Sequence, residues 1–140
     1  MNKILSVLAL LFFSAVMSAQ EKPETYFMEG LKLANESKYD EAIEKLKKAI
    51  ELKPKYAESH LHLSVVYANK KNYDAAIKEA ELAIADKANS VTAHFLYAVL
   101  CEKKQLNAKA VEEWQKILDL KPKPEMKELA EKHLKKLKGK

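Results

Sequence analysis

Apolar residues recur along this chain at helical spacing, in stretches cut at short intervals by turn-forming residues. Tyr26, Phe27, Gly30, Leu31, Leu33 and Ala34 mark a first helix over about residues 24–36. Ser37, Lys38, Tyr39 and Asp40 interrupt it, with Asp40 placed as an N-cap. Ala42, Ile43, Leu46, Ala49 and Ile50 then resume a spacing of about 3.6 residues until Pro54 stops it. A second pair runs from Tyr56 to Asn69 and, after an Asp74 cap, through Ala76, Ile77, Ala80, Ala83 and Ile84. Ser90 caps a third opening helix that runs to about Lys104, and Asn107 caps its partner through Ala110, Val111, Trp114, Ile117 and Leu118. Pro124 opens a seventh helix with Met126, Leu129, Ala130, His133, Leu134 and Leu137 on one face.

These pairs share one period. Ala42, Ala76 and Ala110 lie 34 residues apart, each followed by Ile or Val, and His60 and His94 have the same separation. Tyr39 and Tyr73 precede the first two alanines by three, with Asn107 in the third place. The tetrapeptide Leu-Lys-Pro-Lys occurs at 52–55 and again at 120–123, two periods on. Self-similarity at this period marks a stack of supersecondary units that bury a continuous core between neighbours.

The register resembles the tetratricopeptide repeat family over residues 23–122, with a closing helix after them. In that family's pattern the eighth, twentieth and twenty-seventh positions are small and the thirty-second is often proline. Here they are Gly30/Ser64/Ala98, Ala42/Ala76/Ala110, Ala49/Ala83/Ile117 and Pro54/Ala88/Pro122. Tyr67 holds the usual aromatic of the eleventh position, with Leu33 and Cys101 in its place elsewhere, and Tyr26, His60 and His94 replace the usual Trp of the fourth. Ile117 and Ala88 depart from the pattern and predict a slightly wider third interface. The resemblance implies an all-α fold, a right-handed α-solenoid of three helix-turn-helix repeats (23–56, 57–90 and 91–124) with a capping helix and Lys-rich tail over 125–140. The polar face Lys127, Glu128, Glu131, Lys132 and Lys135 suits that cap. The N-terminal end offers no such cap beyond Tyr26 and its neighbours, and is the expected place for fraying or self-association.

The resemblance also implies a concave groove lined by the first helix of each unit. Its apolar stripe would be Phe27, Leu31, Leu61, Val65, Phe95 and Val99, bordered by Asn35, Asn69 and Lys103. Glu24, Glu58 and Thr92 fall at the second position of the three units. The family's best-known clamp grips a terminal carboxylate with Lys, Asn and Arg, and this stripe does not provide one. An apolar stripe on such a surface is either covered or functional. The expected ligand is an apolar or amphipathic peptide of another protein, with closure of the groove on itself or against a second copy as the alternative.

Composition narrows the function classes. All 25 basic residues are Lys, against 20 acids and a net charge of +5. Without Arg the chain lacks the fork used for bidentate phosphate and base recognition, so a nucleic-acid partner is not expected. Met1 to Gln20 has a Lys3 start, an apolar stretch over Ile4–Val16 and a Ser18-Ala19 finish, the layout of a secretory signal peptide (1–19) cleaved near Ala19. A stretch of roughly 13 residues spans only about 20 Å as a helix, short of a bilayer core. No Cys lies near that junction to carry a lipid. The expectation is an exported protein of the periplasm or extracellular space.

Catalytic and metal constellations are not apparent in the pattern. His60 and His62 sit on opposite sides of one helix and cannot chelate one metal, while His60 and His94 read as packing residues. His133 reads as a half-exposed surface residue, and Cys101 as a small buried hydrophobe with pairing between chains as the alternative. The Gly-rich loop of a phosphate site is missing, since the glycines are Gly30 and Gly139. Glu41–Lys45, Glu44–Lys48 and Glu112–Lys116 are spaced as exposed i,i+4 pairs. No cofactor and no catalytic residue is expected. Five lysines among residues 132–140 read first as cations placed favourably at a helix C-terminus, with a frayed soluble tail; weak contact with anionic headgroups or acidic polymer is the alternative function.

Overall fold

The structure, a computed structural model, describes residues 22–139. The expected leader at 1–19 lies outside the described residues. Among those described the chain forms seven helices and no strand: α1 (Pro23–Asn35), α2 (Tyr39–Leu52), α3 (Ala57–Asn69), α4 (Tyr73–Asp86), α5 (Val91–Lys103), α6 (Asn107–Asp119) and α7 (Pro124–Lys138). Each helix packs on the next in sequence. First helices of successive pairs also meet, α1 with α3 and α3 with α5, whereas second helices do not meet one another. That asymmetry bends the stack so that the first helices line its inner side, as a solenoid of paired helices requires.

Pro23 and Pro124 occupy the first turns of α1 and α7, where a missing N–H costs nothing. Ser90 caps α5 as expected, its hydroxyl accepting the Ala93 N–H at 3.2 Å. The other expected caps are displaced. Asp40, Asp74 and Asn107 all lie inside their helices, and the side chain that does cap α4 is Asn72, which accepts from the Ala75 N–H at 3.3 Å.

The cause is the turn inside each pair. Ser37, Lys71 and Gln105 adopt left-handed backbone, with φ of 60°, 60° and 58°. The next N–H then reaches back to the helix: Lys38 to the Leu33 carbonyl at 2.9 Å, Asn72 to Tyr67 at 2.9 Å and Leu106 to Cys101 at 2.8 Å. This is a Schellman ending repeated every 34 residues. It turns the chain so tightly that the second helix begins before the expected caps. Asp40 and Asp74 instead pair with Lys70 and Lys104 of the following turn.

Ala42, Ala76 and Ala110 are completely buried. They and the small eighth position set how closely the two helices of a pair approach. A Cβ on Gly30 would come within 2.8 Å of Leu46 Cγ, so that crossing has no room for a side chain. At the same position Ser64 fits by donating its hydroxyl to the Ala76 carbonyl at 2.7 Å. Ile117, also fully buried, takes the place of a small residue, and α5 and α6 pack less closely than the first two pairs.

Both ends of the stack are polar. Thr25, Glu29 and Lys32 are exposed on α1, where the equivalent Ser59, Leu63 and Val66 of α3 and Ala93, Tyr97 and Leu100 of α5 are buried. At the N-terminal end, where no separate cap was expected, α1 itself turns a solvated face outward. At the other end α7 buries Ala130 and Leu134 and exposes Lys127, Glu128, Glu131, Lys132 and Lys135.

His133 is not a surface bystander. Its ring stacks on the buried Trp114 at 4.3 Å between centroids, and its Nδ1 lies 2.6 Å from Glu102 Oε1. The same oxygen accepts the Trp114 Nε1–H at 2.7 Å. One carboxylate thus joins α5, α6 and the cap. Among the described residues the three expected i,i+4 ion pairs do not close; Lys45 crosses to Glu29 on α1 at 2.6 Å, and Lys48 reaches Glu51 at 3.4 Å. A pair between helices contributes to packing geometry that a pair along one helix face does not.

Candidate functional site

The inner side carries a cavity of about 270 Å³ between α3 and α5, lined by Leu61, His62, Val65, Thr92, Phe95 and Leu96. Helical spacing puts Leu61 and Val65 one turn apart on α3, facing Thr92, Phe95 and Leu96 on α5. Three of the nine sequence-predicted groove residues therefore meet here: Leu61, Val65 and Phe95. Val65 is 39% exposed, a large apolar fraction for a residue flanked by other apolar side chains. Toward the cap, Val99 and Lys103 line a second cavity of about 260 Å³ with Glu102, His133 and Lys136.

The remaining predicted residues sit as follows. Phe27 is half-buried, tilted against the Tyr56 ring at 5.2 Å and edge-on to His62 at 5.5 Å. Leu31 is half-buried on α1, and Asn35 and Asn69 are exposed at the ends of α1 and α3. Neither cavity includes Phe27, Leu31, Asn35 or Asn69. The stripe is also unequal in kind. Phe27, Phe95 and Val99 pack against the edges of the two cores, and Phe95 meets Trp114 edge-on at 5.8 Å. Leu31, Leu61 and Val65 belong to neither core cluster.

Three wall residues lay outside the nine: Thr92, named above only by its second position in the repeat, and His62 and Leu96. The last two were not singled out for the groove at all. They share a 34-residue offset and each follows a predicted residue, Leu61 or Phe95. A groove between adjacent helices is lined by two neighbouring positions of each helix, and that signal was present in the sequence. Burial holds the His62 ring below the usual histidine range, with Glu58 opposing. The cavity thus presents a neutral imidazole over apolar walls at neutral pH.

His60, two residues away, points to the other side of α3. Only 6% exposed, it sets Nδ1 2.7 Å from Glu79 Oε2 on α4. One period on, His94 is 3% exposed and sets Nδ1 2.6 Å from Glu113 Oε2 on α6. Both are packing residues, as their repeat position implied, with a carboxylate partner that recurs at the same interval. Cys101 is fully buried, and burial pushes its thiol up to about 11. Such a thiol can neither reach another chain nor ionise near neutrality.

No group of three or more His, Cys, Asp or Glu side chains among the described residues is placed to hold a metal ion. No helix among them is long and apolar enough to cross a membrane.

Residues 30–71 match a family model described as TPR repeat. No curated protein matches the sequence. Among solved structures, the first TPR domain of Spaghetti (RPAP3), bound to an HSP90 peptide SRMEEVD, aligns with a TM-score of 0.76 at 22% identity, over 85% of this chain and 92% of that one. The Yersinia enterocolitica type III secretion chaperone SycD, in complex with a peptide of the translocator YopD, aligns at 0.75 and 21% identity, over 82% and 91%. MamA aligns at 0.71 and 28% identity, over 72% of this chain but only 59% of MamA. The first two likenesses are to the fold alone.

Proposed function

The chain is a tetratricopeptide repeat protein, and from that premise we propose that it is a non-catalytic interaction module whose inner groove takes an apolar or amphipathic peptide segment of a partner protein. The observation that carries this reading is the cavity between α3 and α5, where Leu61, Val65, Phe95 and Leu96 form walls with Thr92 and His62 as the polar groups. Pockets of this character, mostly apolar with few polar groups to fix orientation, suit side-chain anchors of a bound segment. Two of the similar structures hold peptides, which supports the reading by analogy. With the leader-like pattern of residues 1–19, we further propose that the module works after export, on a protein of the periplasm or extracellular space.

The test is selection from a random peptide library by the purified chain and by a Leu61→Lys, Val65→Lys variant. These two positions are chosen because they lie outside both core clusters. Enrichment of apolar peptides by the wild type, lost in a variant of unchanged helicity, supports the groove. Peptides retained equally by both proteins, or no enrichment at all, would count against it.

A further inference from the structure

The buried histidine of the second pair has a feature that packing alone does not need. Its two ring nitrogens both face acceptors. Nδ1 lies 2.7 Å from Glu79 Oε2, and Nε2 faces Asp86 Oδ2 at 3.8 Å. Asp86 Oδ2 is itself buried and accepts no hydrogen bond among the described residues. A neutral imidazole has one N–H and one lone pair, so it can satisfy only one side of such a site. The other side would then set a lone pair against an oxygen. Only the doubly protonated ring turns an N–H and a positive charge toward both carboxylates, as a hydrogen bond to Glu79 and as an ion pair with Asp86.

The arrangement recurs. His94 places Nδ1 at 2.6 Å from Glu113 Oε2 and Nε2 at 2.9 Å from the Ala88 carbonyl. A backbone carbonyl accepts and cannot donate, so Nε2 carries the hydrogen there and the remaining nitrogen meets a carboxylate. Residues 60 and 94, and 79 and 113, are matched pairs at the repeat interval. One first-helix imidazole and one second-helix carboxylate thus form a unit present in both pairs, joined in the third pair by a turn carbonyl.

We propose that His60 is a proton-dependent latch of the solenoid: as a cation it ties α3 to α4 through a hydrogen bond to Glu79 and through its charge facing Asp86, and loss of its proton loosens that joint. The charged groups acting on the ring are Glu79 and Asp86, both from α4. The hydrogen bond that the ring donates to Glu79 is the main influence holding the imidazole above the usual histidine range, with burial opposing it. A group raised in the folded state stabilises fully below its unfolded value, about 6.5 for His. That contribution is lost as pH rises through the raised folded value. The latch is therefore closed in mild acid and opens toward alkaline pH. It goes beyond the interaction role, yet it acts on it: α3 carries Leu61 and Val65 of the groove.

Urea unfolding of the purified chain across pH 6 to 9 tests this, with His60→Gln and His94→Gln measured separately. The expected result is a midpoint that falls with rising pH in the wild type and is flat, or markedly flatter, in His60→Gln. Equal slopes in the two proteins, or no slope in the wild type, would overturn the proposal. Should His60→Gln fail to fold, nitrogen chemical shifts of the wild-type imidazoles decide it alone. A His60 ring that keeps both nitrogens protonated to higher pH than an ordinary histidine supports the latch, and one that loses its second proton at or below the ordinary histidine range refutes it.

Discussion

Replacing Ser37, Lys71 and Gln105 by glycine should stabilise the protein without touching a core contact. Each sits at the left-handed residue of a turn between paired helices, with φ near 60°. Holding a non-glycine residue there costs about 1–2 kcal/mol because its Cβ crowds the following carbonyl. Glycine removes that strain but brings more freedom to the unfolded chain, which returns roughly 0.5–1 kcal/mol. The net gain is about 0.5–1 kcal/mol per site. The three side chains are exposed and the sites lie in different turns, so the gains should add to about 1.5–3 kcal/mol. With a urea slope of about 2 kcal/mol/M, the triple variant should unfold at a midpoint roughly 1 M higher. Alanine at the same sites controls for loss of side-chain contacts, because it keeps the Cβ; it should leave the midpoint within about 0.5 M. A triple glycine variant no more stable than the alanine one would refute the reasoning, and with it the Schellman geometry of the turns.

Replacing His133 by Ala should release the cap before the rest of the stack, since it removes the stack on Trp114 and one of two donors to Glu102. The expected loss is about 1–3 kcal/mol, read as faster hydrogen exchange across α7 with α1 to α4 unchanged; uniform acceleration would contradict a local joint. In the groove, Leu61→Lys with Val65→Lys should cost less than about 1 kcal/mol in stability. Phe95→Ala, which takes an aromatic from the side of Trp114, should cost about 2–4 kcal/mol in the same urea assay.

Much of this architecture was legible because the alanines and histidines keep one interval, and close helix approach needs small residues at fixed places. Helix ends were less legible. Asp40, Asp74 and Asn107 have the chemistry of caps, yet the Schellman turns put residues 38, 72 and 106 at those ends instead. Glycine usually announces such a turn, and here Ser, Lys and Gln occupy the position, so the signal was absent. The polar outer face of α1 was written in Thr25, Glu29 and Lys32, but it is visible only by comparison with the buried equivalents in α3 and α5. His133 is different again: its partners Trp114 and Glu102 lie on two other helices, and no spacing along one helix reveals a three-helix joint. Within the groove, the fifth and ninth positions were assigned by resemblance, and the structure adds the adjacent His62 and Leu96 as walls. It also separates residues that pack on the core from those that do not.

The groove is tested most directly by a photo-crosslinking amino acid placed at Val65 and, in a second protein, at Leu82. The two positions are equally accessible, at 39% and 38% exposed, but Val65 lines the inner cavity and Leu82 lies on the second helix of its pair. Irradiation in the native host, followed by mass spectrometry of the adduct, reads the occupant in place. The account predicts a discrete adduct with another polypeptide from Val65 and none from Leu82. An adduct from Leu82 alone, or equal adducts from both, would contradict it.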